Sequence, residues 1–156
     1  MKIIIASDSH GRNEKLDEIY ENYKEEADLF LHCGDLESDP DYLPQWTAVA
    51  GNMDAHRRDQ LDSCKIIEAG NHKILMQHGH RYYAGTREEQ IAAEAKENGC
   101  DIALYGHTHI PFDAVIDGVR IINPGSLSRP KKMSAPGFVV MDLDVDEIKT
   151  ERVVKK

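Results

Sequence analysis

Lys2-Ile3-Ile4-Ile5-Ala6-Ser7-Asp8-Ser9-His10 carries a short apolar run that ends abruptly in a carboxylate and an imidazole. Four consecutive apolar residues without alternation read as a strand buried on both faces, as inside α/β proteins. The same pattern recurs downstream. Leu29-Phe30-Leu31 precedes Asp35, Ala48-Val49-Ala50 precedes Asn52, Ile74-Leu75-Met76 precedes His78, and Ile102-Ala103-Leu104-Tyr105 precedes His107 and His109. In open α/β sheets the carboxyl ends of the strands form the ligand-binding edge. The seven oxygen and nitrogen donors Asp8, His10, Asp35, Asn52, His78, His107 and His109 are therefore expected in one crevice. A set of that size suits a two-metal hydrolytic centre.

At 156 residues the chain is long enough for one domain, expected to span 1–156, and too short for two. Its hydrophobic fraction of 40% and charged fraction of 30% are those of a soluble globular protein. The apolar run near Met1 is too short for a signal peptide, and no stretch approaches the length of a membrane span. A cytoplasmic address and no membrane partner are expected. Cys33, Cys64 and Cys100 are widely spaced, with no Cys-x-x-Cys pair, and read as reduced, mostly buried thiols. A net charge of −9 argues against a surface that tracks a nucleic-acid backbone. It does not oppose a small phosphorylated substrate, because two divalent cations would invert the local potential. Homo-oligomerisation stays open.

Strands are expected at 2–7, 28–32 and 47–50, with an amphipathic helix at 14–26 whose Leu16, Ile19, Tyr20 and Tyr23 share a face and whose N-cap is Asn13. The region 54–62 reads as a loop. A hairpin follows, Lys65–Glu68 and Lys73–Gln77 joined through Gly70-Asn71. A helix at 87–98 has Thr86 as N-cap, Glu89 completing a capping box and Gly99 as its stop. The last third alternates strands and turns: 102–105, 114–116, the turn Asp117-Gly118, 119–122, 137–143 and 146–154. The β-α-β order thus gives way to antiparallel strands, and strands outnumber helices. The expected class is α/β, with two mixed β-sheets packed as a sandwich flanked by helices.

Each donor segment alone has an ordinary explanation. Asp8-Ser9-His10 could be a turn with the carboxylate capping backbone amides, and Gly51-Asn52 is a common turn dipeptide. His78-Gly79-His80 and Gly106-His107-Thr108-His109 are sharper, since four of eight histidines fall in two His-x-His pairs after apolar runs. A carboxylate such as Asp35 has spare lone pairs enough to serve two cations.

The ordered set Asp8-x-His10, Gly34-Asp35, Gly51-Asn52, His78 and Gly106-His107-x-His109 resembles the calcineurin-like metallophosphoesterase superfamily. Chain length and the segment Asn123-Pro124-Gly125-Ser126 resemble its small YfcE-like phosphodiesterase branch. The resemblance implies an α/β/β/α sandwich and a phosphodiesterase of small organic phosphodiesters that uses a metal-bridging hydroxide. It also implies one ion held by Asp8, His10, Asp35 and His109 and a second by Asp35, Asn52, His78 and His107. Asp35 would bridge, and the two divalent ions would be manganese, nickel, zinc or iron.

One position departs from many members of that superfamily, which carry a His after Gly-Asn where this chain has Met53. A thioether neither donates a proton nor carries charge. Catalytic residues beyond the metal ligands are thus unassigned, with His80 and His56 as candidates for leaving-group protonation and water as the alternative. Asn123-Pro124-Gly125-Ser126 is a turn that the resemblance puts near the metal loops, and Arg129, Lys131 and Lys132 read as solvated surface. The competing functional reading is a weakly catalytic or non-catalytic protein-interaction module, since a eukaryotic retromer subunit has the same fold. The filled donor set favours the enzyme.

Overall fold

Ile3 and Ile5 of strand β1 (Lys2–Ala6) enter one apolar layer while Ile4 and Ala6 enter another, which is why this strand is apolar at successive positions. All four are fully buried, and each isoleucine so placed contributes roughly 1.5–3 kcal/mol. A computed structural model describes residues 1–155. Its remaining strands are β2 (Leu29–His32), β3 (Thr47–Ala48), β4 (Cys64–Ala69), β5 (His72–Gln77), β6 (Ile102–Leu104), β7 (Phe112–Ile116), β8 (Val119–Asn123), β9 (Gly137–Leu143) and β10 (Ile148–Val154). They form two five-stranded sheets, ordered β10-β9-β1-β2-β3 and β4-β5-β6-β8-β7. Both are mixed: β1 runs parallel to β2 and antiparallel to β9, while β5, β6 and β8 run parallel beside antiparallel β4 and β7.

Ile3, Ile5, Leu31 and Met141 of the first sheet meet Ile74, Met76, Leu104 and Ile122 of the second in the layer between the sheets. Helix α1 (Asn13–Tyr23) covers the outer face of the first sheet, with Leu16 and Ile19 against Ile4 and Phe30. Helix α2 (Arg87–Glu97) covers the second, with Ile91, Ala92 and Ala95 against Leu75, Ala103 and Ile121. This is the α/β sandwich expected from the sequence. No helix is long and apolar enough to cross a membrane among the described residues.

Of the two expected N-caps, Asn13 is corrected, while Thr86 is the N-cap residue of α2 as expected. Asn13 is the first helical residue rather than the cap, and its amide donates to Ser38 Oγ. Thr86 precedes α2, but no capping box forms; its hydroxyl accepts instead from Gln90 Nε2 at 2.8 Å. Helix α1 stops at Tyr23, three residues early, where Glu26 N–H closes a tighter i→i−3 turn on the Tyr23 carbonyl. The expected loop at 54–62 begins with a 3₁₀ segment at Asn52–Arg57. Gly99 does end α2, in the left-handed region at φ 70°, with Cys100 N–H returning to the Ala95 carbonyl. Asp117 and Gly118, both at positive φ, make the expected tight turn between β7 and β8. Among the cysteines, Cys33 and Cys100 are buried but Cys64 is exposed, and all three are free thiols.

Candidate metal centre

Parallel strands from both sheets end at one edge, and the polar residues follow immediately. Asp8 and His10 come after β1, Asp35 after β2, Asn52 after β3, His78 after β5, and His107 and His109 after β6. The structure brings all seven together. His109 Nε2 is 3.2 Å from Asp8 Oδ1 and 3.2 Å from His10 Nε2. His78 Nε2 is 3.3 Å from Asp35 Oδ2 and 3.8 Å from Asp8 Oδ1, and His107 Nδ1 is 3.2 Å from Asn52 Oδ1. Asp8, His10 and His109 form one group able to hold a metal ion; Asp8, Asp35 and His78 form another.

Three glycines permit this crowding. A Cβ on Gly34 would lie 2.6 Å from the His78 ring, one on Gly51 would strike Asp35, and one on Gly106 would strike Ser7 Oγ and Asp8 Oδ2. Each donor in Gly34-Asp35, Gly51-Asn52 and Gly106-His107 therefore follows a residue that lets another segment's side chain pass. The backbone is also forced. Asp8, His10, Asp35, His107 and His109 all adopt positive φ, between 47° and 69°. Such non-glycine conformations cost about 1–3 kcal/mol each and gather at functional sites. The sequence carried no signal for them.

Around the donors, hydrogen bonds fix orientation. Nδ1 of His10 donates to Glu37, that of His78 to the Cys33 carbonyl at 2.8 Å, and that of His109 to the Arg129 carbonyl at 2.6 Å. Each bond leaves Nε2 facing the centre, the arrangement that presents an imidazole to a cation. Asp8 Oδ2 accepts from Ser7 Oγ and from His107 N–H, and Asp35 Oδ1 accepts from Met53 N–H. Buried Asp54 accepts from Leu36, Glu37 and Gly51 N–H, tying the loops after β2 and β3 together. Sequence reasoning missed Glu37 and Asp54; the latter's only signal was a carboxylate two residues after Asn52.

Asn123-Pro124-Gly125-Ser126 starts at the last residue of β8, a sixth strand ending at the same edge. Asn123 Nδ2 donates to the Gly106 carbonyl and to Thr108 Oγ1, while Ser126 Oγ donates to the Asp8 carbonyl at 2.8 Å. His32, fully buried, accepts from Gly34 N–H and bonds Ser9; burial first of all pushes its pKa down to about 4, so it serves as a neutral strut.

Electrostatics follow from burial opposed by pairing. Burial alone would raise the Asp35 carboxyl, but His78 beside it and the Met53 N–H hold it at about 2. Asp8 is likewise held low against its burial by His109 and His78. Asp8 raises the pKa of His109, and Asp35 with Asp8 raises that of His78 against its burial. Burial, then the charge of His78, pushes His107 down to about 4. Two carboxylates are thus compensated by protons on imidazoles, places that a cation can take over.

Asp8 Oδ1 and His78 Nε2 are buried and make no aligned hydrogen bond among the described residues; their near neighbours, His109 Nε2 at 3.2 Å and Asp35 Oδ2 at 3.3 Å, are themselves members of the donor set. Native structures rarely leave buried polar atoms unpaired. Both point into the donor set, and its hard and intermediate donors, without sulfur, fit divalent manganese, iron, nickel or zinc. Met53 is half-exposed beside them. The His80 ring centre is 5.5 Å from that of His78, whereas His56 is exposed on the 3₁₀ segment.

Residues 1–146 match the model of the calcineurin-like phosphoesterase superfamily domain. The chain is 35% identical over 150 residues to the probable metallophosphoesterase YsnB of Bacillus subtilis, covering 94% of this chain and 86% of that protein. A conserved Streptococcus pneumoniae protein, itself a predicted phosphoesterase, has a crystal structure that superposes with a TM-score of 0.90 at 29% identity, covering 98% of this chain and 88% of that one. Vps29 of Entamoeba histolytica, crystallised with zinc, shares the fold at 24% identity and a TM-score of 0.74, with 98% of each chain covered.

Proposed function

Because the chain belongs to the calcineurin-like phosphoesterase superfamily, we propose that it is a metal-dependent phosphodiesterase of small organic phosphodiesters, working as one domain around Asp8. The observation that carries this reading is a pair of buried atoms, Asp8 Oδ1 and His78 Nε2, that make no aligned hydrogen bond among the described residues and face other members of a set of seven nitrogen and oxygen donors.

Asp8, His10, Asp35 and His109 would hold one ion, and Asp35, Asn52, His78 and His107 the other, with Asp35 shared. When bound, the two ions supply an activated water nucleophile and neutralise charge on the phosphoryl oxygens. The chain's own residues supply order. Glu37, the Cys33 carbonyl and the Arg129 carbonyl keep three imidazoles turned so that Nε2 faces inward. Ser7 Oγ and His107 N–H occupy Asp8 Oδ2, so that Oδ1 is the oxygen facing His109, His78 and His10. Met53 can donate no proton, so esters with acidic leaving groups suit the site.

The shared fold supports a second reading, a protein-docking module like Vps29. The complete donor set favours hydrolysis over it. The test is chelation. Protein stripped of metal should lose hydrolysis of a chromogenic phosphodiester and regain it with manganese or nickel; hydrolysis indifferent to chelation would remove the proposal.

A further inference from the structure

Two arginines of this acidic chain stand beside the donor set without a carboxylate partner. Arg58, just past the 3₁₀ segment, and Arg81, next to His80, line one cleft together with Gly51, Asp62, Ser63 and His80. Elsewhere Arg12 and Arg120 pair with Glu14 and Asp113, and Arg57, Arg87 and Arg152 donate to side-chain or backbone oxygens, while the exposed Arg129 side chain is likewise unengaged among the described residues but does not line this cleft. No such bond engages Arg58 or Arg81 among the described residues. The cleft's own carboxylate, Asp62, is taken by Lys65 at 3.2 Å.

The cleft adjoins the donor set through His80 and Gly51, and none of the seven donors lines it. His80 forms its inner wall, with ring centres 5.5 Å from His78 and 6.1 Å from His107, and its buried Nδ1 has no partner among the described residues. Gly51, at the other side, immediately precedes Asn52. A substrate phosphorus at the donor set would therefore place one ester arm against His80 and the two guanidiniums. With a net charge of −9, the molecule repels anions overall, so unpaired positive charge here is a local attraction against the general field. Guanidinium forks match planar carboxylates and phosphates.

We propose that the Arg58–Arg81 cleft is an anion subsite that selects phosphodiesters whose second ester arm carries a carboxylate or a further phosphate. It rests on the phosphodiesterase reading above and adds a substrate class to it. Arg58 and Arg81 bind the arm, and His80 sets its distance from the scissile phosphate.

The test uses the manganese-loaded full chain and p-nitrophenyl phosphodiesters whose second arm is ethyl, choline, carboxymethyl or 2-phosphoethyl. The expected result is a kcat/KM for an anionic arm about tenfold or more above that for choline. Arg58→Gln/Arg81→Gln should bring that ratio to within about twofold, and Arg58→Lys/Arg81→Lys should keep part of it. Reading a ratio within one preparation cancels any general loss from misfolding. The faster of the carboxymethyl and phosphoethyl arms tells which anion the cleft takes. No anionic preference in the wild type, or a preference that survives the double glutamine change, overturns the subsite alone. Absence of metal-dependent hydrolysis on every arm overturns the phosphodiesterase reading and the subsite with it.

Discussion

Asp8 Oδ1 and His78 Nε2 lie 3.8 Å apart in the buried floor of the site, and neither makes an aligned hydrogen bond among the described residues. Leaving a buried polar atom unsatisfied costs about 1–3 kcal/mol, more for a charged group. A cation is the partner that would satisfy a carboxylate oxygen and an imidazole nitrogen together.

Metal should therefore stabilise the fold. With free manganese at about one hundred times its dissociation constant, the gain for one site is about 2.7 kcal/mol, which for a chain of this size raises the melting midpoint by roughly 5–10 °C. Calorimetry of chelated and loaded protein reads this directly. A midpoint indifferent to metal would contradict it.

Gly106→Ala places a methyl group against Ser7 Oγ and Asp8 Oδ2. Overpacking of that kind costs about 1–3 kcal/mol, and here it also pushes a candidate ligand out of line. Urea unfolding should show the destabilisation, and metal titration of the folded variant should show weaker binding.

Asn123→Ala removes the bonds that hold the Gly106 carbonyl, Thr108 Oγ1 and the Gly125 N–H, without touching any of the seven donors. Partners of this outer kind are worth about 10–100-fold in metal affinity. Isothermal titration with manganese should show a loss in that range; unchanged affinity would make Asn123 a purely structural residue.

Stability should also depend on pH through a pair remote from the site. His72 bonds the Asp144 carbonyl and Asp101, and those contacts raise its pKa, the carbonyl foremost. Burial would raise Asp101, but Lys73 N–H and His72 lower it. The histidine's contribution is whole below its unfolded value near 6.5 and fades as pH rises through the raised folded value. The carboxylate's is whole above about 4 and fades as pH falls through its lowered one. His72→Ala should thus shift the urea midpoint more at pH 5 than at pH 9. An equal shift at both would show that charge plays no part.

The layers were legible because burial on both faces leaves its mark on composition: Ile3 to Ala6 has no polar position. The donors were legible because they stand where apolar runs stop. What held no sequence signal was three-dimensional. The positive φ of Asp8 and His109 is imposed by loops crossing at one edge, and the need for Gly106 arises from Ser7, which lies 99 positions earlier. Asn13 shows the limit of local rules: a good capping residue turned to Ser38 because a neighbouring loop offered a partner. Asp54 belongs to a stretch whose composition is that of a polar loop, yet its carboxylate is buried under three backbone N–H groups.

Anomalous diffraction from crystals soaked in manganese tests the two-metal proposal most directly. The expected map has two peaks about 3.5–4 Å apart, one beside His10 and His109 and one beside Asn52, His78 and His107, with Asp35 between. No peak at the donor set, or an ion bound only elsewhere, would contradict it.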